Sequence, residues 1–179
     1  YDAASGEITT LDGRETAPLA VTPTLFQDEN GEPLAFFDAV VGGLSVGTPG
    51  TPALMEAAHQ RWGKSDWASL FTEATDLATN GFTVSPRLAG LVEGDTERLS
   101  TFPATAAYFL PEGIPIAEGD TLVNAAYAET LRAIAVGGAA AFYDGPIADG
   151  IVEAVQSADG NPGVLAQQDL DIYTVKERA

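Results

Sequence analysis

Leu11-Asp12-Gly13-Arg14-Glu15-Thr16-Ala17-Pro18 follows a strand-like run, Ile8-Thr9-Thr10-Leu11, and closes on a proline. Its arginine is therefore expected in a loop rather than in a regular element. The composition makes that arginine informative. The 179-residue chain carries 26 acidic residues against 8 basic ones, for a net charge of −18. A loop arginine in such a chain has two readings. It can be half of a surface ion pair, here with Glu15 or Asp12, which contributes little. Or it can clamp an anionic ligand, because the planar guanidinium engages both oxygens of a carboxylate where lysine offers a point charge.

The same charge balance excludes whole classes of partner. With only two lysines, Lys64 and Lys176, the sequence has no basic stripe to replace counterions on nucleic-acid phosphates or to dock on an anionic membrane. No apolar run approaches the roughly 18 residues of a membrane span. The hydrophobic fraction of 45% supports a packed core. The absence of cysteine removes disulfides, thiol catalysis and thiolate-bound metals. His59 is the only histidine. It lies inside a helical pattern and reads as a packed or solvated side chain rather than a catalytic one. No cofactor or metal is expected.

Outward from Arg14, the chain reads as mostly helical. A turn at Ala4-Ser5-Gly6 suggests a hairpin leading into Ile8–Leu11, and Asp28-Glu29-Asn30-Gly31-Glu32-Pro33 is a polar turn cluster. The apolar stretch from Phe36 to Val46 is broken by Gly42-Gly43, where close backbone approach is expected. Gly42, Gly43, Gly47 and Gly50 lack the lysine of a phosphate-binding loop, so they read as tight turns before a helix. Thr51 is placed as the cap of a helix reaching Trp62, with Pro52 in its first turn. Ser65 is placed as the cap of the next, with Trp67, Leu70, Phe71, Ala74, Leu77 and Ala78 on one face and Asn80-Gly81 at its end. Trp62 and Trp67 are expected to pack these two helices together. Ser85-Pro86 opens a further helix, Leu122–Val136 another, and Pro146 a last one bearing Ile147, Ile151, Val152 and Val155. Asp169–Tyr173 reads as a short turn or helix before a strand near Val175. The acidic clusters Glu93-Gly94-Asp95 and Asp169-Leu170-Asp171 lack calcium-loop spacing and read as solvated faces.

Four blocks, in order, resemble the gamma-glutamyltransferase (gamma-glutamyltranspeptidase, glutathione hydrolase) family. They are Asp12–Pro18; Gly43-Leu44-Ser45-Val46-Gly47-Thr48-Pro49-Gly50-Thr51; Ala74-Thr75-Asp76-Leu77-Ala78-Thr79-Asn80-Gly81-Phe82-Thr83-Val84-Ser85; and the set Gly119-Asp120-Thr121-Leu122, Phe142-Tyr143-Asp144-Gly145-Pro146-Ile147-Ala148 and Asp169-Leu170. The likeness extends to Tyr173-Thr174-Val175-Lys176-Glu177-Arg178.

The resemblance implies an N-terminal-nucleophile hydrolase, made as a zymogen that cuts itself autocatalytically. A threonine exposed by that cut attacks gamma-glutamyl amides such as glutathione, and the acyl group passes to water or to an amino acid. It also implies that Arg14 binds the donor's alpha-carboxylate. Glu15, by its own context, reads as structural, paired with a neighbouring arginine. Residues 1–179 are then expected to form a single segment, an internal part of the large subunit. No catalytic residue is expected within it, since the family's cleavage threonine has no counterpart here.

The whole enzyme is expected to be an αββα sandwich. This part, α+β and mostly helical, would supply peripheral helices and a few terminal strands. Its implied partners are the small subunit and the remaining large subunit of one precursor, with glutathione or another gamma-glutamyl donor as substrate. The segment alone is expected to self-associate through apolar surface at Ile8–Leu11 and Phe36–Val41. The implied location is periplasmic, secreted or on the cell surface. Two alternatives stand beside this reading: a gamma-glutamyl-type acylase or polyglutamate-cutting relative on the same scaffold, and a non-catalytic acidic helical binding module.

Overall fold

The computed structural model describes residues 1–178. Helices take up about 48% of the residues and strands few, so the class is α+β and mostly helical. In chain order the elements are β1 (Thr10–Asp12), α1 (Phe36–Val40), α2 (Thr51–Trp62), a 3-10 turn (Ala68–Phe71), α3 (Thr72–Asn80), β2 (Phe82–Thr83), α4 (Pro86–Gly94), α5 (Thr96–Leu99), α6 (Pro103–Phe109), a 3-10 turn (Pro111–Gly113), β3 (Thr121–Leu122), α7 (Ala125–Gly137), α8 (Ala140–Tyr143), α9 (Pro146–Gln156), α10 (Gln167–Asp171) and β4 (Lys176–Arg178). Among the described residues, no helix is long and apolar enough to cross a membrane.

Prolines set several helix starts. Pro52, Pro86, Pro103 and Pro146 each occupy the first turn of α2, α4, α6 and α9. The amide that proline lacks would have no intrahelical acceptor there, so nothing is lost. Ser85 caps α4 as its sequence suggests, accepting the Leu88 amide at 3.2 Å. Two other caps differ from expectation. Gly50, not Thr51, precedes α2. Asp66, not Ser65, accepts the Ser69 amide at 3.1 Å, because a carboxylate one residue further on reaches the open turn better. The stripe from Trp67 to Ala78 is also broken, since its first turn is 3-10 and side chains there repeat every three residues. Ala78 is buried, but Leu70 and Leu77 are exposed.

The chain forms two compact units, one from Tyr1–Leu70 with Ala133–Ala179 and one from Phe71–Arg132. The second has a small apolar core. Val84, Val92, Leu110, Ile116 and Leu122 are buried there, with Leu88, Ala89, Leu99, Tyr108 and Phe109 packed around them. Full burial of each such aliphatic side chain is worth about 1.5–3 kcal/mol. A second cluster joins Ala78, Ala128 and Leu131 to Phe71. Leu122, expected in a helix, instead pairs with Phe82 in the two-stranded antiparallel β2–β3 ribbon. The helix begins later, at Ala125.

The first unit is closed by its two ends. β1 pairs antiparallel with β4 in the register Thr10↔Arg178, Leu11↔Glu177, Asp12↔Lys176. The expected N-terminal hairpin is therefore corrected. The turn forms, with the Asp2 amide donating to the Glu7 carbonyl at 2.9 Å, but the strand's partner comes from the far end of the chain. Leu165 and Leu170 are fully buried in this unit. The close approach expected at Gly43 is present. Its amide donates to the Asn161 carbonyl at 2.8 Å, and a β-carbon there would overlap the backbone of Val155 and Gly163.

Trp67 does pack, with its ring edge on to His59 at 5.2 Å and its indole donating to the Ile134 carbonyl at 3.0 Å. Trp62 does not. It is about half exposed, beneath the Arg61 guanidinium. His59 ties the end of α2 to the following turn through Nε2 and the Ser65 carbonyl oxygen, 2.9 Å apart, which is a structural role.

Candidate functional site

Arg14 lies just past β1, where the chain leaves the ribbon. Its side chain is 80% exposed and its Nε donates to Glu15 Oε1 at 3.1 Å. This is the surface pair that the sequence allowed, and such a pair breaks readily when a ligand offers a better acceptor. Asp12, the other candidate partner, does not pair with the Arg14 guanidinium. One of its oxygens accepts the Arg14 backbone amide at 3.0 Å. The other accepts two bonds from Arg178 on β4, at 2.8 and 2.6 Å.

The Arg14 amide and then Arg178 hold the Asp12 carboxyl below the usual carboxylate range. Asp12 thus supports folding fully above its ordinary value of 3.8, and that support is lost as pH falls through the depressed folded value. Glu15 is lowered too, first by its own backbone amide and then by Arg14.

The other side of the Arg14 backbone is held by aromatic residues. The Tyr173 hydroxyl donates to the Arg14 carbonyl at 2.8 Å. Tyr173 stacks flat on Tyr143, with centroids 5.7 Å apart and planes 4° from parallel. Tyr143 is anchored in turn, its hydroxyl donating to the Pro49 carbonyl at 2.7 Å and its own carbonyl accepting from Gln167 at 2.9 Å. Next to Arg14, Thr16 and Thr48 form a two-bond antiparallel bridge, at 3.2 and 2.8 Å. The glycine-rich second block therefore lies alongside the arginine loop. Gly50 is required there, because a β-carbon on it would overlap the Tyr173 hydroxyl and the Gly13 carbonyl.

A cleft of about 220 Å³ opens beside Glu15, lined by Pro18, Val21, Phe26, Leu44 and Val46 among others. The acidic stretch Asp169-Leu170-Asp171 is not the solvated face it resembled. Asp169 is 4% exposed and accepts the amides of Leu19 at 2.7 Å and Ala166 at 2.8 Å. It fixes the segment that follows the arginine loop onto the start of α10.

The four sequence blocks thus converge only in part. The first, the second and the later parts of the last, around Tyr143 and Asp169, meet near Arg14, while the third block and Gly119–Leu122 belong to the other unit. The family model described as gamma-glutamyltranspeptidase matches residues 1–179. The chain belongs to this family.

The glutathione hydrolase proenzyme of Bacillus subtilis strain 168 is 37% identical over 175 residues, 98% of this chain and 29% of that protein. That of Escherichia coli K12 is 35% identical, over 97% of this chain and 30% of its own length. The crystal structure of Helicobacter pylori gamma-glutamyltranspeptidase superposes with a TM-score of 0.90 at 35% identity, covering 98% of this chain and 49% of that one. The chain therefore spans under a third of the length of the two proenzymes.

Within this gamma-glutamyltranspeptidase segment, Tyr143 titrates unusually. Burial raises its phenol from 10.0 to about 12. Below pH 10 the phenol is protonated in both folded and unfolded chains. Above it, the unfolded chain ionises first and unfolding is favoured, until the folded phenol ionises near 12. Stability is therefore expected to fall between pH 10 and about 12. Denaturant unfolding across that range should show the loss, and Tyr143→Phe should reduce the slope. An unchanged slope would remove Tyr143 from this account.

Proposed function

We propose that this chain is the portion of a gamma-glutamyltranspeptidase large subunit that supplies the donor's carboxylate clamp. The observation that carries the reading is the placement of Arg14. Its backbone is fixed on both sides while its guanidinium stays exposed and, among the described residues, engaged only by an adjacent glutamate. A donor alpha-carboxylate would replace Glu15 and receive two parallel N–H bonds, a stronger and more directional contact than the exposed pair.

The remaining chemistry belongs to the rest of the precursor. A threonine hydroxyl there attacks the gamma-carbonyl carbon of glutathione or a related donor. The amide C–N bond breaks, the amine leaves with a proton, and the acyl group then passes to water or to the amine of an amino acid. Holding the alpha-carboxylate at Arg14 turns this encounter into a fixed geometry, which is the chain's contribution to rate.

The partners in this reading are the small subunit and the remaining large subunit. The exposed Ile8, Phe36 and Phe37 are surface that those parts cover, or that a second copy covers when the segment is isolated. The reading places the enzyme outside the cytoplasm, as a periplasmic, secreted or surface protein. Two preparations test it. A full-length precursor containing this sequence should split into two pieces and release the chromophore from a gamma-glutamyl anilide. The 179-residue chain alone should release none. Release by the isolated chain, abolished by His59→Ala, would replace this reading with a different hydrolase.

A further inference from the structure

We propose that Tyr173 is a positioning residue for Arg14, acting on donor binding through the arginine's backbone. The inference rests on the carboxylate-clamp reading of Arg14. An exposed arginine on a free loop samples many positions, and each must be narrowed when a carboxylate is held at two points. Here the narrowing is already built in. The Tyr173 hydroxyl takes up the Arg14 carbonyl at 2.8 Å, and Asp12 takes up the Arg14 amide at 3.0 Å. Both groups of the same residue are thus fixed from opposite sides.

Neither holder is loose. Asp12 is gripped by two bonds from Arg178, and Tyr173 lies flat against Tyr143, which is itself bonded to the Pro49 carbonyl. The Gly50 backbone leaves no room for a side chain beside the Tyr173 hydroxyl, so the phenol sits where only glycine permits it. Desolvation, then Asp12 and Glu15, raise the Tyr173 phenol above its ordinary value. It therefore remains a proton donor to the carbonyl throughout the neutral range. The Tyr173 hydroxyl meets the Arg14 carbonyl oxygen rather than its guanidinium. Its effect passes through the Arg14 main chain.

The experiment uses the full-length, self-cleaved enzyme and two anilide donors. One is gamma-glutamyl anilide. The other is 4-aminobutyryl anilide, which keeps the amine and lacks the alpha-carboxylate. Tyr173→Phe retains the ring stack and removes only the hydroxyl. It should raise KM for the gamma-glutamyl donor about three- to tenfold, with kcat nearly unchanged, and leave the 4-aminobutyryl donor unaffected. Asp12→Asn, which weakens the Arg178 grip, should give the same pattern independently.

A loss shared equally by both donors, or a fall in kcat alone, overturns the inference, because a merely structural residue would act that way. No change in either donor overturns it as well. Arg14→Lys in the same assay separates the two levels. If it discriminates between donors and Tyr173→Phe does not, only the positioning role fails. If Arg14→Lys does not discriminate, the clamp itself fails and the positioning role falls with it.

Discussion

Arg14→Lys, introduced into a full-length precursor containing this sequence, is expected to lower kcat/KM for a gamma-glutamyl donor about tenfold to a hundredfold. The lysine keeps the charge but loses the planar two-point contact, so the loss measures geometry rather than electrostatics. Most of it should fall on binding, because the alpha-carboxylate is held before and during acyl transfer alike. Self-cleavage should proceed normally, since in the proposed reading the arginine holds donor and does no chemistry on the precursor's own backbone. A donor without the alpha-carboxylate should be turned over at an unchanged rate. Equal losses for both donors would return Arg14 to its surface pair with Glu15.

The second large effect is expected at Asp169. Its carboxyl accepts the amides of Leu19 and Ala166 at a site 4% exposed to solvent. Asp169→Ala leaves both donors without an acceptor in a place water barely reaches. Each such orphaned amide costs about 1–3 kcal/mol, so the variant should lose roughly 2–6 kcal/mol of stability. Asp169→Asn keeps one acceptor oxygen and turns an amide toward the other donor, so it should fall between wild type and alanine. Denaturant midpoints of the three precursors would establish the order. An alanine variant as stable as wild type would mean that neither bond matters.

What could be read from the sequence and what could not divide along a physical line. Local signals held. The prolines at 52, 86 and 146 mark helix starts because their ring satisfies a requirement of the first turn itself, and Pro103 opens a further helix in the same way. Ser85 caps α4 for a reason confined to three residues. Gly81 ends α3 with a φ of +88°, a conformation that few residues other than glycine adopt.

Long-range signals were absent. A strand is legible near Leu11 and another near Val175, but nothing in either names its partner, so the pairing of Thr10–Asp12 with Lys176–Arg178 is not. Asp169 looked solvated for a related reason, since one of its two donors, Leu19, lies 150 positions away. The proposed clamp shows both cases. Arg14 stands out because cations are scarce in this chain. Tyr173, Tyr143 and Arg178 do not stand out as parts of a site, although all three lie in stretches that carry the family resemblance. Their importance comes from what they touch across the fold.

The two grips on the Arg14 loop also set a timetable. Tyr173 and Arg178 follow the residues they hold by 159 and 166 positions. At ordinary synthesis speeds of about 5–20 residues per second, that stretch takes on the order of 10 to 30 seconds to emerge. Throughout that interval the arginine is already on the nascent chain while its braces are not. The loop is thus among the last parts of this segment to set, and a ribosome-bound chain stopped before Tyr173 would present an arginine with no holder but Asp12.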